Sequence, residues 1–333
     1  MADSRMPSSR VGHSTAGRHM ELGPGREFDL VRRMTELWGS AATGLGDDCA
    51  VLDVRPGEQL VATTDTSVEK VHFRREWLSP MEIGWRATAG AVSDLASAAA
   101  SPLGIMLAMV LPDDRRGSAL EIADGVGQLS REVGIPIVGG DLAGGDRLVL
   151  TITALGSAVR PLLRSGTSPG DRIFVTGRFG GPALALASWL RGEEPTGADR
   201  ERFVRPVPRL REARWLAERG ARAAVDISDG LAADLRHIAH ASGVRIILDA
   251  DRVPRAHGAD WRVALGSGEE YEVAVALPSD GEAGTSGFAD EFRSEFGLEL
   301  TEVARVEAGA PEVLVESDGV RVDLPPGYDH FST

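Results

Sequence analysis

Apolar residues recur along the chain with two periods, and the alternation between them lays out the elements. Glu27 to Trp38 carries Phe28, Val31, Leu37 and Trp38 at helical spacing. Ala50 to Val54 and Leu60 to Thr64 read as two strands paired around the turn Arg55-Pro56-Gly57-Glu58. Then come a helix from about Pro80 to Ala100, an apolar strand from Gly104 to Leu111, a helix from Ser118 to Val133 ended by Gly134, and a short strand from Ile135 to Asp141. Leu148 to Leu155 alternates, and Gly144-Gly145-Asp146 reads as a hairpin turn leading into it. Beyond a polar connector, Arg160 to Gly170, the pattern restarts: strand Arg172 to Thr176, a glycine turn at 177–181, a helix from Ala183 to Arg191 and an exposed loop from Gly192 to Arg200. Strand Ala223 to Asp226 leads through Ser228 or Asp229 as N-cap into a helix with buried face Leu231, Leu235, Ile238 and Ser242. Strand Val244 to Leu248 and a glycine turn feeding a strand that ends at Leu277 complete an α/β pattern.

At 333 residues the chain exceeds one ordinary domain, so two are expected. The change of character near residue 160 divides it into 26–160 and 161–333. Residues 1–25, rich in Ser, Gly, Arg and Pro without periodicity, are expected to form a disordered extension, with Met20 as an alternative start. Fifty acids against thirty-six Lys and Arg give a net charge of −14, which argues against a nucleic-acid groove or a membrane surface as the main partner. The single cysteine, Cys49, fits a reducing cytoplasm, and no apolar run approaches the roughly 20 residues of a membrane span.

Acids recur where strands end. Asp48 follows Gly46-Asp47, Asp65 follows Thr63-Thr64, Asp141 follows Gly139-Gly140, and Asp226 sits one residue inside a strand end. Asp94 falls on one helical face with Ile83, Ala87, Ala91 and Ala98, where a carboxylate must be paired or bind a cation. Any one of these is most simply a turn or a cap. Five together, without a Cys₄ or His cluster, point to oxygen-ligated divalent ions, and Mg²⁺ is the usual choice where phosphates complete the shell. Such ions also reconcile an acidic protein with an anionic substrate. The implied chemistry is phosphoryl transfer. The turn Gly177-Arg178-Phe179-Gly180-Gly181 lacks the Lys-Ser/Thr of a P-loop. Arg205-Pro206-Val207-Pro208-Arg209 holds two guanidinium groups on a stiff segment that suits either a helix cap or an anion.

Seven segments in order resemble the thiamine-monophosphate kinases, within the wider aminoimidazole-ribonucleotide-synthetase-like ATP-binding group. They are Gly44-Leu45-Gly46-Asp47-Asp48-Cys49-Ala50, Thr63-Thr64-Asp65 with Val68-Glu69-Lys70-Val71-His72-Phe73, Ser93-Asp94-Leu95-Ala96, Gly139-Gly140-Asp141, Val225-Asp226-Ile227-Ser228-Asp229-Gly230-Leu231, Gly268-Glu269-Glu270-Tyr271-Glu272 and Gly327-Tyr328-Asp329-His330-Phe331. The resemblance implies a two-domain fold, with an N-terminal mixed-sheet dimerisation domain and a C-terminal α/β domain. It also implies a homodimer that phosphorylates thiamine phosphate to thiamine diphosphate with ATP by direct in-line transfer. By position, Asp48, Thr63, Thr64, Asp65, Asp94, Asp141, Asp226 and Asp229 would hold Mg²⁺. Gly140, Asp141, Arg164 and Ser228 would contact ATP, and His72, Glu269 and Tyr328 would line the thiamine phosphate site. No side chain is needed as a general base, because the acceptor is already a phosphate oxygen. The chain departs from the family pattern at Lys70 (usually Gly), Leu142-Ala143 (commonly Thr-Thr), Glu270 (usually Asp) and Tyr328 (commonly Trp). Two other readings stay open at this level: a sister enzyme that activates a carbonyl or amide oxygen with ATP, and a binding protein without turnover.

Overall fold

Ser79 starts the helix around which both halves assemble. Its hydroxyl accepts a hydrogen bond from the amide of Glu82, the Glu82 carboxylate accepts one from the amide of Ser79, and Pro80 takes the first helical position. The helix so capped, α2 (Pro80–Ser97), is buried at almost every position from Ile83 to Ala96, Asp94 being the half-buried exception. A helix can be covered on all sides only if its side chains are small, and this one is rich in Ala and Gly.

The computed structural model describes residue 19, residues 25–281 and residues 287–323. In the N-terminal half, β1 (Gln59–Val68), β2 (Ser101–Leu111), β3 (Ile137–Gly144) and β4 (Val149–Ala158) form a sheet in the order β1-β4-β2-β3. One face is covered by α2 with α1 (Arg26–Trp38) and α3 (Ala119–Val133). The strands alternate across that boundary. Leu150, Ile152 and Ala154 are buried beneath the helices, while the Thr151 and Thr153 hydroxyls meet those of Thr66 and Thr64 on the other face, at 3.0 and 3.2 Å.

The C-terminal half is built on β5 (Arg172–Thr176), β6 (Ala223–Asp226), β7 (Arg245–Asp249), β8 (Val273–Leu277), β9 (Leu300–Glu307), β10 (Glu312–Ser317) and β11 (Val320–Val322), in the order β11-β10-β7-β9-β5-β8-β6. Its helices are α4 (Gly181–Leu190), α5 (Gly197–Val204), α6 (Leu210–Glu218), α7 (Leu231–Ser242), α8 (Trp261–Gly266) and α9 (Phe288–Phe296). One apolar core runs through both halves, from Val92 and Ile152 to Phe174, Val275 and Phe292, and a second lies under α7. The α/β fold in two halves agrees with expectation. Among the described residues, no helix is long and apolar enough to cross a membrane.

Three local expectations are corrected. Residues 50–54 form no strand, although the turn closes through Glu58 N–H to Arg55 C=O at 3.0 Å. The side chains there alternate as expected, with Val51 87% exposed, but β1 takes all ten of its register partners from β4 and leaves its other edge without a ladder. Nor is residues 144–146 a hairpin. The β2-α3-β3 crossover sets β3 parallel to β2, so the chain must pass over β2 to start β4, and Gly145 N–H bonds the Leu111 carbonyl on the way. The loop expected at 192–200 ends in the first turn of α5, because Thr196 caps it, accepting from Asp199 N–H at 3.2 Å.

Both guanidinium groups of the segment 205–209 are engaged within the protein. Arg205 lies over the Trp85 ring, and Arg209 makes a two-pronged ion pair with Glu272, 2.7 Å from each nitrogen. Thr176 donates to the same carboxylate at 2.6 Å, and Arg202 adds a second cation. Burial alone would push Glu272 up, but Arg209, Arg202 and the hydroxyl outweigh it and hold the group at about 2, against an ordinary 4.5.

Two outcomes are expected. Because the folded-state pKa of Glu272 is depressed, its contribution to stability is complete above about pH 4.5 and is lost as pH falls through about 2. Denaturation at stepped pH should show that component in the wild type and not in Glu272→Gln, which should itself cost ~3 kcal/mol at neutral pH. The second concerns Gly84 and Gly125, where α2 and α3 cross. A Cβ on either would stand 2.0 Å from the Ile122 carbonyl oxygen or 1.9 Å from that of Met81. Helix propensity favours Ala over Gly by about 1 kcal/mol, yet Gly84→Ala and Gly125→Ala should each destabilise by ~2 kcal/mol in urea titrations. A gain in stability would mean that the helices do not touch there.

Candidate active site

Four positions of α2, at residues 86, 90, 93 and 94, fall on the side that faces both halves, and each one fixes a different part of a single cavity. Asp94 accepts a hydrogen bond from Thr63 of β1 at 2.6 Å. Ser93 donates to Asp226, at the end of β6, at 2.9 Å. Gly90 leaves room for Asp65, since a Cβ there would stand 2.6 Å from Asp65 Oδ2 and 3.3 Å from the Tyr271 hydroxyl. Arg86, buried, pairs with Glu269, donates to the Phe203 carbonyl and lies 3.8 Å over the Phe203 ring.

The cavity has a volume of about 520 Å³ and two chemically distinct ends. Asp65, Asp94, Asp226 and Asp229 form the acidic end. Trp77, Phe203, Pro182, Leu186 and Leu190 make its apolar wall, backed by Trp189, which stacks on Trp77 at 5.4 Å and 7°. Burial pushes Asp226 up to about 8, and the neighbouring charge of Asp94 acts in the same direction against the Ser93 hydrogen bond. Asp94 is raised too, by burial and by Asp65, against the Thr63 hydroxyl and the charge of Arg164.

The turns between strands and helices complete the site. The amides of Ser228 and Asp229 donate to one oxygen of Asp234 at 3.0 and 3.1 Å, so the chain turns without a side-chain N-cap, and Gly230, not Ser228 or Asp229, occupies that position. Burial pushes Asp234 up to about 7 despite these bonds. Across from this turn, Glu269 N–H donates to the Ser228 carbonyl at 2.7 Å and Tyr271 N–H to that of Ile227 at 2.9 Å. After β1, the Val68 amide donates to His72 Nδ1 at 3.0 Å, so the neutral ring carries its proton on Nε2.

Of the residues singled out in the sequence, Asp65, His72, Asp94, Asp226, Ser228, Asp229 and Glu269 line this cavity, and Thr63 is bonded to one of them. Arg164 is exposed on the connector, close enough for its charge to act on Asp94 and Asp226. Others lie elsewhere. Asp48 is exposed, with its amide on the Asp47 carboxylate, and Thr64 pairs with Thr153 on the outer face of the first sheet. Asp141 shares that outer face, in register with Ala108 and Thr151. At Gly140 a Cβ would stand 2.0 Å from the Leu107 carbonyl oxygen, so close strand packing accounts for the glycine. Tyr328 lies outside the described residues. Sequence reasoning missed Arg86 and Asp234. Arg86 precedes Gly90 and Asp94 by four and eight residues, a helical spacing that marks it as part of the same stripe.

The residues present suit magnesium. All donors at the acidic end are hard oxygens, and two of the carboxylates are raised in pKa by burial and by neighbouring carboxylates, the condition that a divalent cation relieves. Asp229, Asp234 and His237 also bring ligand atoms within 4.8 Å of one another at the mouth of α7.

Known proteins match the chain along most of its length. Residues 46–158 match the AIR synthase related protein N-terminal domain and 168–316 its C-terminal domain. The thiamine-monophosphate kinase of Salmonella typhimurium is 33% identical over 326 residues, covering 92% of this chain and 98% of the relative. Among solved structures, the thiamine-monophosphate kinase of Stenotrophomonas maltophilia superposes with a TM-score of 0.77 at 34% identity, over 91% of this chain and 99% of that one. AaThiL complexed with AMPPCP and TMP superposes with 0.73 at 28% identity, over 92% and 97%. With both domains matched and relatives of that similarity along nearly its full described length, the chain belongs to the thiamine-monophosphate kinase family of AIR synthase related proteins.

Proposed function

We propose that this protein transfers the γ-phosphoryl group of ATP to thiamine phosphate, giving thiamine diphosphate and ADP, by direct in-line transfer assisted by several magnesium ions. One observation carries the reading: a single cavity joins carboxylates from both halves of the chain to an apolar wall that bears its own carboxylate, Glu269. The acidic end suits phosphates bridged by magnesium, and the wall suits a cationic aromatic ring. A solved relative bound to AMPPCP and TMP supports the same pair of ligands.

Asp65, Asp94 and Asp226 would hold magnesium, with Asp229 as a further ligand and Thr63 and Ser93 orienting two of the carboxylates by hydrogen bonds. Asp48, Thr64 and Asp141 remain proposed ligands by family position alone. When bound, magnesium neutralises the transferring phosphoryl oxygens. Ser228, Arg164 and the chain at Gly140 would contact the nucleotide, while His72, Glu269 and Tyr328 would hold thiamine phosphate. The attacking oxygen belongs to an already ionised phosphate, so positioning and charge neutralisation are the main demands on the protein. The reading carries a cytoplasmic homodimer with it, paired through the N-terminal halves. The open outer face of the first sheet, where Leu60 is 57% exposed, supports such pairing.

Incubation with ATP, Mg²⁺ and thiamine phosphate should yield thiamine diphosphate and ADP in equal amounts. Free phosphate formed only with another acceptor would favour a carbonyl-activating enzyme, and binding without turnover a non-catalytic protein. Asp65→Asn should lower kcat at least ~100-fold with the fold intact by circular dichroism. Metal binding gives a second readout. Burial and the charge of Asp94 hold Asp226 above the ordinary carboxylate range without metal, and the group must be ionised to bind a cation. Calorimetry at pH 7 in buffers of different ionisation enthalpy should therefore record proton release on Mg²⁺ addition, diminished in Asp226→Asn. Equal release from both proteins would take Asp226 out of the metal set.

A further inference from the structure

Five described residues other than glycine have positive φ, and three of them, Lys70, Glu269 and Tyr271, line the cavity. A side chain with a Cβ is disfavoured in that region, so each case needs a cause in the surrounding structure or in function. Glu269 and Tyr271 have a structural one, since their amides are fixed to the Ser228 and Ile227 carbonyls. Lys70, at φ 67, stands at the tip of a tightly closed loop. Its own N–H donates to the Phe73 carbonyl at 2.7 Å, and the amides of Val71 and His72 both reach the Val68 carbonyl. On either side of it the loop is anchored by buried groups, Phe73 in the core and Glu69 paired with Arg75. The backbone therefore sets the direction of this side chain, at a position that glycine would fill without strain.

The Lys70 ammonium also differs from Arg86 and Arg74. Arg86 is committed to Glu269, and Arg74 lies over the Trp77 ring at 4.6 Å. Among the described residues, no hydrogen bond or ion pair occupies the Lys70 ammonium, although five carboxylates line the same cavity. An exposed ammonium on a residue that lines the cavity, paired with none of these acids, is available to an anion that enters. His72, two residues on, presents a protonated Nε2 from the same loop.

We propose that Lys70 is a specificity-determining residue which binds the phosphate monoester of the acceptor. The inference rests on the kinase reading and names a charge, at a position where the family usually has glycine, that strengthens this chain's preference for thiamine phosphate over unphosphorylated thiamine. Lysine suits this role as a compact charge that needs no planar partner.

The test measures Lys70→Gly, Lys70→Met and Lys70→Arg beside the wild type, with thiamine phosphate and ATP varied separately and thiamine as inhibitor. In the Gly and Met variants KM for thiamine phosphate should rise about tenfold, with KM for ATP and the inhibition constant of thiamine unchanged. Lys70→Arg should restore most of the affinity. Lys70→Gly should unfold at or above the wild-type temperature, because it removes the backbone strain; this separates lost affinity from lost fold. An unchanged KM for thiamine phosphate overturns the proposal, and so does a rise in KM for ATP alone or an equal loss of thiamine inhibition. Should the wild type give no thiamine diphosphate, the kinase reading fails on its own, and calorimetric binding of thiamine phosphate to wild type and Lys70→Met still decides whether Lys70 holds the phosphate.

Discussion

Like charges brought together out of water are the constraint on which this structure turns. Asp94 and Asp226 are raised in pKa by burial and by proximity to neighbouring carboxylates, with Arg164 as the cation that acts on both. Left so, the arrangement would cost stability at every pH where both groups ionise. Divalent cations, as proposed above, would remove that repulsion. The net charge of −14 is the same fact at the scale of the whole chain.

Holding acids in such an arrangement demands a rigid frame, and α2 supplies it. The close crossing of α2 on α3, with Gly84 and Gly125 each facing backbone, fixes the height of the helix above the first sheet. Ser93 and Asp94 then reach opposite halves of the molecule, to Asp226 and Thr63. Because a single apolar core also crosses the boundary between the halves, moving one half relative to the other would disturb both the core and the acid pair. Stability and site geometry are therefore coupled through one helix.

Much of this was legible in the sequence, and the parts that were not share a cause. Asp94 stood out because a carboxylate interrupted an apolar stripe with a known period, and Asp226 because no cap explained it. What periodicity cannot supply is the partner. Residues 50–54 alternate as a strand does yet find no ladder, and Gly144-Gly145-Asp146 has hairpin composition but joins strands separated by β2. Strand order depends on crossovers many residues long, which no local window contains. The same limit applies to the site: Asp48 and Asp141 carry the strand-end signature as clearly as Asp65 and Asp226, but they lie outside the cavity formed by this chain. Arg86 went unnoticed because a lone arginine on a helix is ordinarily a solvated one.

Three glutamates within four residues show how far environment, and not residue type, decides role. Glu269 is partly exposed, paired with Arg86, and faces the cavity. Glu270 points the other way. Burial pushes it up to about 7 against Arg202 and the Ser267 hydroxyl, while it accepts the amide of Gly180 at the start of α4. Glu272 is buried as deeply but meets a two-pronged guanidinium, and stays ionised down to about pH 2. The positive φ values at residues 269 and 271 let successive side chains diverge in this way, which a regular strand, with its strict alternation, would not allow. The backbone strain of the turn is thus the condition under which one short acidic segment supplies a binding group, an anchor for a helix start and an ion-paired tie to Arg209 within the C-terminal half.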